Sequence, residues 1–214
     1  MEVPSLGARL RAERLRRGLS LRRLAAAVGV SASAISQIET GKSRPSVSTL
    51  YAMTTELGIS LESLFAAEPE AQLAAGELEL GGLEAAGAEG VGYVQALGGM
   101  FGQRLGPLVA PAERSVLVLD SGVTWERLGQ LPHQHLDFLR VTYDPGGTSS
   151  SSGALMRHPG SEYGFLLRGQ LEVTLGFDDL LMQPGDAISF DSSTPHRYRN
   201  AGTEPAVGVW FVTG

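Results

Sequence analysis

Between Leu6 and Phe65 the apolar residues recur at helical spacing in five short runs, each closed by a glycine or a small polar residue. Leu6, Leu10 and Leu15, set among Arg9, Arg11, Arg14, Arg16 and Arg17, predict an amphipathic first helix ending at Gly18. Ser20 is placed to cap a second helix with the inner face Leu21, Leu24, Ala25 and Val28, and Gly29 suits a tight turn with positive φ. Ser31 is placed to cap a third helix, predicted to bury Ala34, Ile35 and Ile38 and to expose Ala32, Ser33, Ser36 and Gln37. Pro45 and Ser46 open a fourth helix carrying Val47, Leu50, Tyr51 and Leu57, and Ser60 caps a fifth with Leu61, Leu64 and Phe65. These five helices are expected to enclose one small core over residues 1–66.

Beyond residue 112 the period changes to two. Strands are predicted at 115–119, 137–143, 162–168, 170–175, 187–190, 196–199 and 206–212, with turns at Pro145-Gly146-Gly147, Arg168-Gly169-Gln170 and Pro184-Gly185-Asp186. Many short antiparallel strands over 113–214 predict a small jelly-roll barrel, which closes its edges around an internal pocket. Trp125, Phe138 and Trp210 are expected in the barrel core, and Ser149 to Ser152 in a loop at its mouth. The fold class is therefore two domains, an all-α five-helix head and an all-β body.

The join, 67–112, fits neither pattern. Residues 67–90 hold six glutamates and no arginine or lysine, and Gly76, Gly81, Gly82, Gly87 and Gly90 break any long helix. Glu77 to Leu80 alternate as a short edge strand would. The segment reads as a tether, a sheet extension or an interaction segment. Residues 91–110 are apolar but broken by glycines, Pro107 and Arg104, so no membrane span is expected.

Charge separates the same two parts. The chain carries −6 overall, but residues 1–66 hold nine basic against five acidic residues, and the remainder eight against eighteen. A basic module on an acidic one fits a DNA-binding head on a separate body. The absence of cysteine excludes disulfides and thiolate chemistry, and the polar, arginine-rich N-terminus has no signal-peptide core. A cytoplasmic protein is expected.

The spacing of Leu24-Ala25, Gly29, Ile35, Glu39, Gly41-Lys42 and Pro45 resembles the Xre/phage-repressor helix-turn-helix family over residues 6–66. The resemblance implies that the third helix presents Ser31, Ala32, Ser33 and Gln37 to base edges of a double-stranded operator. Gln37 can pair with adenine N6/N7, and the Ala32 methyl can touch a thymine methyl. Lys42, Arg44 and the exposed arginines of the first helix would hold phosphates. Where the family often has Gln near the start of helix 2, this chain has Leu21, so a phosphate contact there is expected to pass to Arg22. The resemblance also assigns Glu39 to structure, paired with a first-helix arginine, here Arg14; a free carboxylate would otherwise repel phosphate.

In the body, His158-Pro159-Gly160-Ser161-Glu162 with Gly169, and Gly185, Asp191, Ser193, His196 and Asn200, resemble the two cupin motifs. Asp191 and Ser193 replace the usual Pro and Gly of the second motif. Together the two parts resemble an Xre-type regulator with a C-terminal cupin sensor. His158 and Glu162, four apart, reach one face along a strand or across a turn, and His196 joins them only if the barrel closes. Two imidazoles and a carboxylate suit Zn, Fe, Mn or Ni with open positions. The resemblance implies a further His two residues before His158, where this chain has Met156, a poor ligand for a hard ion. Two readings stay open: a divalent metal, or a metal-free pocket in which His158, Glu162 and His196 hydrogen-bond a small-molecule effector. His133 and His135 read as exposed loop histidines, with a supplementary metal site as the alternative.

The expected function is a ligand-responsive transcription regulator, a repressor and a homodimer, and not an enzyme. The alternative is a metal-dependent cupin enzyme, a dioxygenase or isomerase, with a fused DNA-binding domain. A self-repressing antitoxin fits a closed barrel poorly.

Overall fold

The computed structural model describes residues 5–65, 108–129 and 136–213. Most of the join, and His133 and His135, lie outside the described residues. The five expected helices are α1 (Leu6–Arg16), α2 (Leu21–Val28), α3 (Ala32–Glu39), α4 (Val47–Leu57) and α5 (Leu61–Phe65). Serine side chains fix where all five start. Ser5, Ser20, Ser31, Ser46 and Ser60 each accept from the backbone amide three residues on, at 3.3, 3.2, 3.0, 3.2 and 3.3 Å. Each such cap contributes about 1 kcal/mol. Gly29 closes α2 at φ +79°, in the left-handed region its missing Cβ allows.

One inner position differs from expectation. Leu15 is 56% exposed, and its place is taken by Arg14, which is buried. Arg14 stands four residues after Leu10 and shares its helical stripe, whereas Leu15 is turned one residue away. Arg14 donates from Nε and Nη2 to the two oxygens of Glu39 at 2.6 and 2.8 Å, and from Nη1 to the Leu19 carbonyl at 2.8 Å. The assigned Arg14–Glu39 pair is thus present, as the tie between α1 and α3. Gly7 lets the two helices approach: a Cβ there would meet the Ile38 carbonyl oxygen and come within 3.1 Å of Glu39 backbone atoms.

After a 3-10 turn at Pro111–Glu113, nine strands form the body: β1 (Val116–Val118), β2 (Val123–Gly129), β3 (Leu136–Tyr143), β4 (Ser161–Arg168), β5 (Leu171–Leu175), β6 (Asp178–Met182), β7 (Ala187–Asp191), β8 (His196–Arg199) and β9 (Ala206–Thr213). They build a six-stranded sheet, β1-β2-β3-β9-β4-β7, and a three-stranded sheet, β6-β5-β8, with antiparallel pairing throughout. Strands β2 and β6 were not expected. In β2 the third inward position is Arg127 rather than an apolar residue, and its guanidinium lies 5.1 Å over the Phe65 ring of the head. Strand β6 opens on Asp178-Asp179 and is exposed over four of its five residues, so no buried alternation marks it.

Inward residues of the large sheet include Trp125, Leu139, Val141, Leu166 and Trp210, all buried. Phe138 is not among them. It has the outward parity of β3 and stacks on Phe211 of β9 on the outer face, with ring centroids 4.4 Å apart. Ser149 to Ser152 do form a loop, but Ser149 and Ser150 are buried in it, at 0% and 2% exposed. Ser149 Oγ accepts from the Tyr198 amide at 3.0 Å, while its carbonyl accepts from the Ser48 amide of α4 at 2.9 Å. With the Asp120 amide donating to the Pro45 carbonyl at 2.9 Å, this seats the start of α4 on the barrel.

Candidate nucleic-acid interface and candidate metal centre

On α3, Ser33 and Gln37 are exposed and four residues apart, so they share one outward stripe. Ser31 is exposed at the helix start, where its oxygen accepts from the Ala34 amide and its hydroxyl keeps a hydrogen that can serve an acceptor. Ala32 was expected to be fully exposed but is half-buried against the head core. Lys42 and Arg44 are exposed in the loop after α3. The Lys42 and Ser43 amides donate to the Gln37 carbonyl at 2.8 and 3.2 Å, so this loop is fastened to the end of the helix. Arg22 is exposed on the first turn of α2. The arginines of α1 are largely committed elsewhere. Arg9 and Arg17 donate to the Leu64 and Gly58 carbonyls at 2.6 and 3.0 Å, Arg14 is buried, and Arg16 pairs with Glu13, which leaves Arg11 exposed among those expected on phosphates.

The barrel interior brings together His158, Glu162 and His196. His158 precedes β4, and its amide donates to the Ser192 carbonyl at 3.0 Å. Gly160, at φ +98°, turns the chain so that Glu162 enters from β4 on the same side. His196 opens β8 in the other sheet, and its bridge to Met156 draws the two motifs together. Their ligand atoms all lie within 4.8 Å of one another, and all three residues are buried.

The hydrogen bonds settle what each imidazole offers. His158 Nδ1 faces the Pro159 carbonyl at 3.1 Å, and His196 Nδ1 faces the Thr194 carbonyl at 2.8 Å. A carbonyl only accepts, so both Nδ1 atoms carry hydrogen, and each Nε2 is left to face the carboxylate, donating an N–H to it or, with that proton gone, offering a lone pair. These two Nε2 atoms face the same oxygen, Glu162 Oε1, at 2.9 and 3.0 Å. His196 Nε2 is buried without a properly angled hydrogen-bond partner. Burial would push Glu162 up, but the His158 hydrogen bond and the nearness of both imidazoles outweigh it and hold the carboxyl at about 2. With those protons gone, three lone-pair donors, one of them anionic, converge on one point. Two protonated imidazoles, with ring centroids 5.4 Å apart, would repel each other there. A single cation satisfies all three donors at once, so the residues fit a metal.

Around this centre stands a supporting layer that the motifs alone did not reveal. The Tyr198 hydroxyl donates to Glu162 Oε2 at 2.7 Å, and Trp210 Nε1 donates to the Tyr198 oxygen at 3.3 Å. Burial first, then the Glu162 charge, keeps the Tyr198 phenol protonated and able to donate. Carbonyl partners on both histidines and a phenol on the carboxylate are the outer contacts that orient metal ligands. Tyr198 follows His196 by two residues in a strand, so its parity alone would have placed it on the same face. A cavity of about 20 Å³ reaches Glu162 between Met156, Tyr198, Trp125 and Trp210, and is roofed by Val47 and Tyr51 of α4. A water needs about 10–15 Å³ measured this way, so the cavity holds one small species. Met156 occupies its wall where the family pattern has a fourth ligand.

Residues 10–64 match the helix-turn-helix family model and residues 139–212 the cupin domain model. The chain is 27% identical over 194 residues to the HTH-type transcriptional regulator PuuR of Escherichia coli strain K12, covering 91% of this chain and 86% of that protein. The PuuR of Shigella flexneri matches to the same extent. Among solved structures, an HTH_3 family transcriptional regulator from Vibrio cholerae superposes with a TM-score of 0.61 at 22% identity, covering 98% of this chain and 94% of that one. No helix among the described residues is long and apolar enough to cross a membrane. The chain thus joins a helix-turn-helix domain to a C-terminal cupin domain, and is a DNA-binding transcription regulator of that Xre-type two-domain layout.

Proposed function

We propose that this regulator is a cytoplasmic homodimeric repressor switched by what binds in its cupin pocket. The resident group would be a divalent metal, drawn from Zn, Fe, Mn or Ni, held by His158, Glu162 and His196. A small-molecule effector would act at the same pocket. The observation that carries this reading is the convergence of two Nε2 atoms on one carboxylate oxygen between the two sheets of the body. The division of labour follows the chain: 1–66 reads DNA, 67–112 connects, and 113–214 senses. In the head, Gln37 and Ser33 would read base edges with Ser31 and Ala32 beside them, and Lys42, Arg44 and Arg22 would hold phosphates.

Two heads are needed to span paired half-sites about one DNA turn apart. The outer face of the large sheet supplies an apolar surface for pairing, with Phe138, Phe211 and Tyr163 side by side across β3, β9 and β4 and Phe165 next along β4. Tyr163 is 53% exposed, a large aromatic surface to leave in water.

The test starts from a duplex selected out of a random library by the wild-type protein. Gln37→Ala should weaken binding to it and relax its base preference while the helix content stays unchanged. His196→Ala should lose bound metal and the metal-dependent change in duplex affinity, and remain a dimer. A wild-type protein that binds none of the four metals, with duplex affinity indifferent to them, would overturn the reading. A three-ligand set with open positions also favours a second reading, a metal-dependent dioxygenase or isomerase. A cavity with room for one small species, and Met156 in its wall, favour the regulator. Substrate-dependent oxygen consumption by the iron- or manganese-loaded protein would reverse that order.

A further inference from the structure

We infer that Tyr51, on the DNA-binding head, both selects what the cupin pocket admits and carries its state to the head; this rests on the metal-site reading above. The Tyr51 ring lies parallel to that of His158, with centroids 4.0 Å apart and 6° between planes, and edge-on to Trp125 at 5.8 Å. Together with Val47 it forms the roof of the cavity that reaches Glu162. A ligand of the centre is therefore covered by a residue from the other domain.

Geometry separates two classes of occupant. An imidazole coordinates in its ring plane, through Nε2, whereas Tyr51 covers the ring face. A metal ion held through Nε2 would therefore leave Tyr51 in place, and would draw electron density from the His158 ring that Tyr51 stacks upon, favouring that contact. An organic molecule cannot share the space. The cavity of about 20 Å³ takes one water-sized species. Anything of several heavy atoms must expel Tyr51.

Expelling Tyr51 disturbs more than a side chain. Its helix neighbours Leu50, Met53, Thr54 and Leu57 are buried in the head, so α4 moves with the head rather than apart from it. The start of α4 is pinned to the barrel through the Ser48 amide and the Pro45 carbonyl, and Pro45 directly follows Arg44 of the basic loop. A second link runs from the centre through Tyr198, whose amide donates to Ser149 Oγ while the Ser149 carbonyl accepts from Ser48. Ions thus hold the head docked, and organic ligands release it.

The experiment compares wild type, Tyr51→Phe and Tyr51→Ala as full chains of equal helix content. Each is titrated with Zn, Mn, Fe(II) and Ni ions and with the selected duplex. The chain's two tryptophans, Trp125 and Trp210, both line the cavity and report on its roof. Acrylamide quenching of their fluorescence should rise at least about twofold in Tyr51→Ala and stay at the wild-type level in Tyr51→Phe. The bound metal should change wild-type duplex affinity by on the order of tenfold, a typical coupling. That factor should survive in Tyr51→Phe and fall below about twofold in Tyr51→Ala, with metal still bound. Equal quenching and an equal factor in Tyr51→Ala would overturn the inference and leave the metal-site reading standing. A wild type that binds no metal would overturn both.

Discussion

Glu39 sits at the end of the helix assigned to base reading, so its role decides how that helix is held. Its side chain is 3% exposed and meets an Arg14 side chain that is 8% exposed, through two hydrogen bonds of 2.6 and 2.8 Å. Glu39→Gln keeps the volume but leaves the Arg14 guanidinium charged and facing a neutral amide. Removing one partner of a buried pair costs about 3–5 kcal/mol, because the remaining charge stays desolvated. The amide oxygen still accepts one hydrogen bond, which places Glu39→Gln near the lower end. A single domain is stable by about 5–15 kcal/mol, so a head of this size would lose most of its margin. Urea unfolding followed by the far-ultraviolet helix signal measures this. With a slope of about 1 kcal/mol/M for so small a domain, the head transition should fall by roughly 3 M. Combining Arg14→Met with Glu39→Leu removes both charges and should recover most of the loss, since apolar replacement of a buried pair is often neutral or better. A Glu39→Gln loss below about 1 kcal/mol would refute the structural assignment. So would a loss of duplex affinity at unchanged stability, which would place Glu39 at the DNA.

Gly7→Ala should destabilise the head by about 2 kcal/mol or more despite alanine's higher helix propensity, because the new Cβ meets the backbone of Ile38 and Glu39 in α3; an unchanged or raised urea midpoint would sink this. Tyr198→Phe removes the donor to Glu162 Oε2 and should weaken metal affinity by about 10–100-fold, as loss of an outer-layer partner does; calorimetric titration with the metal found to bind checks it, and unchanged affinity would remove Tyr198 from the site. Gly164→Ala places a Cβ within 2.7 Å of the Trp210 ring, and should shift tryptophan fluorescence and weaken metal binding through Tyr198; fluorescence and affinity both at wild-type values would count against that chain of contacts.

Much of this was legible before any coordinates. The caps at Ser20, Ser31, Ser46 and Ser60 and the turn at Gly29 are local, so the residues themselves place the helix starts. The Arg14–Glu39 pair was legible through the family resemblance, which pairs this glutamate with an arginine of the first helix. What failed was non-local or parity-dependent. Phe138 differs from Leu139 by one position, and only strand register says which of them faces the core. Strand β2 was hidden by an inward arginine whose compensation, the Phe65 ring, lies in another domain. At the centre, His158 and Glu162 could be paired by spacing, and His196 by closure of the barrel. Tyr51 could not be assigned this way, because its helical periodicity is satisfied equally by a head core and by a contact with the body.

That last ambiguity has a mechanistic consequence. A regulator with separate reading and sensing domains needs a path by which binding energy in one changes the population of states in the other. Here the path is one contact long, since Tyr51 belongs to the head's folded core and His158 is one of the candidate metal ligands. The two equilibria therefore share a term, and sharing is reciprocal: whatever factor the metal applies to operator affinity, the operator applies to metal affinity. Saturating the protein with the selected duplex should change the metal dissociation constant by the same on-the-order-of-tenfold factor, in the same sense. Tyr51→Ala should abolish both effects together. Reciprocity holds for any equilibrium route, so the contact itself is tested by the variant: a factor that persists in both directions in Tyr51→Ala, with metal bound, would mean that the coupling runs by another route, such as a change of oligomer.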